Sequence, residues 1–214
     1  MLALYRDGVT AFRAGDRATS LARNTEALKL ARNLRDLELE ALALVGLSRI
    51  ALRDGDYARV RKLAGDALDL VRERRGDAQL MPLHMLAAGT RLGGEYAAAM
   101  TLYNESLELS RSLADDHMVA GELHNLGHVY MHLGRVEDAE RAFTERLGVM
   151  THPPSAYDAA MTSLNEATLA HVRGDDSAAS RLLDDAAERL RAAGIELDPD
   201  DAFEVAWLRA RVRS

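Results

Sequence analysis

A glycine followed by a polar residue recurs along this chain at a nearly constant interval. The pairs are Gly15-Asp16, Gly55-Asp56, Gly94-Glu95, Gly134-Arg135 and Gly174-Asp175, with spacings of 40, 39, 40 and 40. Self-similarity at a fixed period of this size is the signature of a repeat array in which each unit buries its apolar face on the next. The phase is kept on both sides of the glycine. Five residues after it stand Ser20, Val60, Ala99, Ala139 and Ala179, and eleven before it stand Leu4, Leu44, Leu83, Leu123 and Ser163. Segments of helical periodicity flank each glycine, for example Leu37 to Arg53 and Tyr57 to Arg75. The glycine therefore ends one helix and opens the turn into the next, so the repeating unit is a helical hairpin. The residue five positions on is small because two antiparallel helices cross there. A larger side chain would push them apart at a cost of about 1 to 3 kcal/mol, and Val60 is the tightest fit.

Composition agrees with an all-α chain. Only 4 Pro and 15 Gly interrupt 214 residues, and Ala, Leu, Arg and Glu fill the stretches between. The chain has no Cys, which excludes disulfides, thiolate metal sites and cysteine nucleophiles and fits a reducing compartment. No apolar run approaches the roughly 18 residues of a membrane span, and no signal peptide is visible, so a cytoplasmic location is expected. A formal net charge of -7 argues against direct nucleic-acid binding, which needs a basic face to displace counterions.

The fourth repeat carries the motif most fully. Leu123-His124-Asn125-Leu126-Gly127-His128-Val129-Tyr130, then Gly134, then Ala139-Glu140-Arg141-Ala142-Phe143 closely resembles the tetratricopeptide signature. The third repeat keeps Leu86, Gly94, Tyr96, Ala99 and Tyr103, while the fifth has Ser163 and Glu166 at positions expected to be apolar, pointing to an altered interface. The resemblance covers about the whole chain. The period exceeds the family's usual 34 or so residues and is similar to the longer variant in arrays of LuxR-type bacterial regulators. It implies a right-handed α-solenoid forming a single domain over 1–214, with repeats at about 1–40, 41–79, 80–119, 120–159 and 160–199 and a capping helix over 200–214. Breaks are expected at Asn33 to Asp36, Arg75 to Asp77, Asp115-Asp116 and Thr151 to Ser155, where Pro153-Pro154 forbids helix. Gly194 ends a helix and Asp198-Pro199 starts the last. The N-terminus has no comparable cap, so the first hairpin is exposed or continues a longer chain.

In the resembled family the first helix of each hairpin lines a concave groove. Carrying those groove positions over residue by residue gives a set without a single acid that includes Arg49, Arg53, His84, Arg91, His124, His128, His132 and His171. With Asn125 and Asn165 to hold a partner's backbone, these residues are the expected binding site, and the partner is a protein or peptide, with an acidic segment as the best match. Packing offers another account of the same set, since acids are excluded where helices are buried and arginines snorkel outward. His124, His128 and His132 form one stripe along a helix. Neighbouring imidazoles could share a metal, but no third or fourth ligand has distinctive spacing, so no metal and no cofactor are assigned.

Catalysis is not expected. The chain has no Gly-rich phosphate loop, no Gly-x-Ser-x-Gly elbow and no His-Glu-x-x-His helix. Acid pairs such as Asp175-Asp176 fall where helix capping accounts for them. The expected function is a non-catalytic protein- or peptide-binding scaffold. The alternative is the ligand-sensing or self-association module of a bacterial transcriptional regulator, with Phe203 and Trp207 on the last helix as a surface for homodimerisation.

Overall fold

A computed structural model describes residues 2–74, 76–150 and 155–212. Among them lie eleven α-helices and no strand. They fall into two compact units, Met1–Leu113 and Ala114–Ser214. The first holds three hairpins: α1 (Leu2–Arg13) with α2 (Arg17–Leu34), α3 (Leu37–Arg53) with α4 (Tyr57–Val71), and α5 (Gly76–Leu92) with α6 (Tyr96–Ser112). The second holds α7 (Asp116–His132) with α8 (Val136–Val149), α9 (Ala156–Val172) with α10 (Asp176–Ala193), and a single final helix, α11 (Pro199–Val212). The break expected at Pro153-Pro154 lies outside the described residues.

The recurring Gly-polar pair turns the chain in the way its residue types require. All five glycines take positive φ, between 71° and 84°, a region that a Cβ makes costly. In the second hairpin Gly55 and Asp56 donate back to Leu52 and Ala51 at 3.0 and 2.9 Å, closing the helix in Schellman fashion. The polar residue then caps the next helix. Asp16, Asp56 and Asp175 accept from the backbone N–H three residues on at 3.0, 3.0 and 2.8 Å, whereas Glu95 and Arg135 make no such bond. A two-residue motif thus supplies both a stop and a start.

Ser20, Val60, Ala99, Ala139 and Ala179 are all fully buried, as the crossing argument requires. Glycines on the facing helices make the approach possible. Asn24 is held between Gly8 of α1 and Gly46 of α3, and a Cβ on Gly46 would meet its side-chain oxygen at 1.9 Å. Val60 packs on Gly89, where a Cβ would come within 2.6 Å. The fifth repeat solves its polar position by pairing. Ser163 is buried and its hydroxyl donates to Asp185 at 3.2 Å, while Glu166 stays exposed. In the second unit Ala160, Met161, Leu164, Ala167, Ala179, Leu183, Ala186 and Leu190 form a core to which α11 contributes Leu208.

Candidate functional site

The α7 residues His124, His128 and His132 recur every four positions and so share one face of that helix. In the second unit α11 lies on this face and brings carboxylates to it. Nε2 of His124 donates to Asp201 at 2.8 Å, and Nε2 of His132 donates to Glu204 at 3.0 Å. His128 stands 3.7 Å from the same Glu204 oxygen. Asp201 is 6% exposed and Glu204 2%, so both charges depend on these donors. Aromatic contacts complete the arrangement. His124 meets His128 edge to face at 4.7 Å, and His128 meets Phe143 at 5.2 Å. Trp207 meets His132 at 4.8 Å and lies under the Arg211 guanidinium at 3.9 Å. His171 pairs with Asp176 at 2.6 Å and approaches the Trp207 ring at 6.4 Å.

α9 adds Tyr157, whose hydroxyl donates to Asp201. Burial pushes this phenol well above the usual tyrosine range, and the negative charges of Asp201, Asp198 and Asp200 push it the same way. The group therefore stays a donor. Arg146 of α8 is buried close by and donates to Thr162 at 3.0 Å. Desolvation lowers its pKa, while Asp158 and Asp201 act to raise it.

Tyr157→Phe leaves Asp201 with one donor fewer. A hydrogen bond to a buried charged acceptor is worth about 1.5 to 3 kcal/mol, and a loss of that size is expected in urea unfolding. The linkage has a definite sign. With the folded pKa raised, the stabilisation is complete below the ordinary tyrosine range and lost as pH rises through and beyond it. The variant should lose that alkaline dependence, and an unchanged midpoint and pH profile would exclude the role given to Tyr157.

In the first unit the corresponding face carries Arg49 and Arg53. Arg49 reaches Tyr5 Oη at 3.4 Å and Met81 Sδ at 3.9 Å. Arg53 donates to the Phe12 carbonyl at 2.8 Å and its guanidinium covers the Phe12 ring at 3.9 Å. Among the described residues neither arginine has a carboxylate partner. His84 is half-buried and edge-on to Tyr103 at 6.3 Å, and Arg91 is fully buried. Asn125 is buried in α7. Asn165 is buried beside a shallow cleft lined by Phe143, Thr144, Leu147, Thr162, Glu166 and Leu169, between α8 and α9. The structure thus gathers His124, His128, His132 and His171 around α11, places Arg49 and Arg53 together in the first unit, and sets Asn165 apart.

Asp201, Glu204 and Tyr157 are absent from the residues selected by sequence. A signal for the two acids exists, since Asp201, Glu204 and Leu208 follow the helical spacing of three and four. An Asp beside Pro199 at a helix start is accounted for by capping and the helix dipole, which hides the stripe. Phe203 and Trp207, read from sequence as a dimerisation surface, are half-buried with their rings toward His132. No group of three or more potential ligands among the described residues could hold a metal, and none of the described helices is long and apolar enough to cross a membrane.

The chain matches no protein-family model and no curated protein. Its likeness lies with solved structures. Apo RapI superposes with a TM-score of 0.72 at 15% identity, covering 90% of this chain and 71% of that one. A Rap protein complexed with Competence and Sporulation Factor gives 0.68 at 18% identity, over 87% of this chain and 54% of its own. The nearly identical TPR-like repeats of a Podosopora anserina kinesin light chain give 0.65 at 13%, over 89% and 95%. At this identity the likeness shows the fold, a tetratricopeptide-like helical repeat.

Proposed function

We propose that this chain is a non-catalytic scaffold whose first-helix faces take acidic segments of a protein or peptide. One comparison carries the reading. The same kind of face occurs in both units: in the second its imidazole donors hold the carboxylates of α11, while in the first Arg49 and Arg53 have no carboxylate partner among the described residues. A planar guanidinium stacked on Phe12 is preorganised for bidentate carboxylate recognition, and Tyr5 and Met81 supply an adaptable apolar floor. The Rap structure solved with Competence and Sporulation Factor supports the reading, because it shows this fold with a bound factor.

Fluorescence anisotropy with a panel of acidic peptides tests it. Binding should weaken with salt, and Arg49→Ala with Arg53→Ala should reduce affinity by about tenfold or more, since each charged hydrogen bond lost is worth about 1.5 to 3 kcal/mol. Equal affinity in wild type and variant, or no acidic peptide bound at all, would remove the proposal.

A further inference from the structure

The seat beneath α11 is built differently from the other helix contacts of the second unit. α10 buries Ala179, Leu183, Ala186 and Leu190, an unbroken apolar stripe. α11 buries three residues, and two of them are acids: Asp201, Glu204 and Leu208. A helix that only closes the end of an array is best served by apolar packing. Buried carboxylates carry a desolvation cost that their partners roughly cancel, so they add little net stability. What they add is selectivity, because a mismatched sequence leaves donors and acceptors unpaired. His124, His132 and Tyr157 form the matching half: two imidazoles and a phenol aimed at two carboxylate positions. His132 and His171 also frame Trp207, and Leu208 enters the aliphatic core, with Val205, Trp207 and Val212 half-buried against it. The face has the make-up of a recognition surface, and α11 has the make-up of a ligand.

The geometry points to α11 as an exchangeable occupant of this face, replaced by a partner's amphipathic helix that repeats its pattern: an acid, a second acid three residues on, then Trp and Leu six and seven residues after the first acid. This deepens the reading that first-helix faces take acidic segments, and rests on it. The tether favours self-occupancy. α10 ends at Ala193 and α11 begins at Pro199, so a short link holds α11 near the face at an effective concentration on the order of millimolar. A free partner's apparent affinity falls by the fraction of molecules in which the face is open. Weakening the hold of α11 without damaging the face must therefore strengthen binding in trans, the opposite of what the same substitutions would do if α11 were only structural.

The probe is a fluorescein-labelled peptide with the sequence of residues 197–212, titrated into the full chain and into two variants that loosen α11 through different contacts, D201N/E204Q and L208A. Trp207 is the only tryptophan of the chain, so its emission, read before any peptide is added, reports release of α11. Both variants are expected to bind the peptide about tenfold or more tighter than wild type, with red-shifted Trp207 emission. Binding should vanish when the peptide itself carries Asn and Gln at its two acidic positions, and when His124→Asn and His132→Asn are added to either variant. Equal affinity for wild type and both variants, equal binding of the neutralised peptide, or no binding to either variant overturns the assignment. Arg49 and Arg53 belong to the other unit, so failure of the acidic-peptide test there leaves these outcomes readable by themselves.

Discussion

Glu204→Lys is expected to release α11 from the second unit. The carboxylate is 2% exposed, 3.0 Å from His132 and 3.7 Å from His128. Lysine cannot accept from either imidazole and places an ammonium in a space that two ring nitrogens already line. An uncompensated charge at such a site costs about 3 to 5 kcal/mol. The chain has a cheaper response than burying it, which is to let α11 swing out on its tether, so the measured loss should stop at the free energy that docks this helix. Trp207 then leaves His132 and His171, and its emission moves to the red. Circular dichroism should show the loss of at most the 14 residues of α11, with the rest of the helical signal kept. Unshifted tryptophan emission together with an unchanged unfolding midpoint would show that Glu204 does not hold the helix.

Gly127→Ala is expected to destabilise the second unit although alanine is the better helix former. A Cβ at Gly127 would stand 2.0 Å from Phe143 Cε1 and 2.5 Å from two further ring carbons. The ring cannot simply turn away, because it is buried and packed edge to face with His128 at 5.2 Å. The overpacking cost of about 1 to 3 kcal/mol outweighs the gain of about 1 kcal/mol in helix propensity, and part of the strain passes through His128 toward Glu204. Phe143→Leu should relieve the clash, giving a double-mutant coupling of about 1 kcal/mol or more. Gly121 of the same helix is the control. A Cβ there meets nothing within 4 Å, so Gly121→Ala should gain up to about 1 kcal/mol. Urea midpoints of the four variants check all of this, and equal shifts at Gly121 and Gly127 would refute the packing argument.

The hairpins were legible because their signals are local. A positive-φ glycine, an aspartate three residues ahead of the N–H it caps, and a small residue where helices cross act over a few residues of chain. The helix starts follow the same rule: α3, α5, α7 and α9 begin at Leu37, Gly76, Asp116 and Ala156, ahead of the repeat origins Ala41, Leu80, Ala120 and Ala160. Asp36, Asp115 and Ser155 provide caps there, each accepting from the backbone N–H three residues on. The glycine contacts were only half legible. Gly127 belongs to a recognisable motif, but its partner Phe143 is set by how α7 and α8 pack.

The histidine face shows where local reasoning stops. Helical period alone puts His124, His128 and His132 on one side of α7 and keeps acids off that side, and this much the residues determined without any structure. Which acids meet them depends on Asp201 and Glu204, 77 and 72 residues further along the chain. Their own helix explains Asp201 equally well as a first-turn residue near its N-terminus and leaves Glu204 one turn further on. Only the return of α11 onto α7 distinguishes these accounts. Periodicity fixes the direction in which a side chain leaves its helix, because backbone hydrogen bonds repeat over every turn. The partner it finds there depends on packing between distant segments, where burial of Leu208 and desolvation of two carboxylates are decided together.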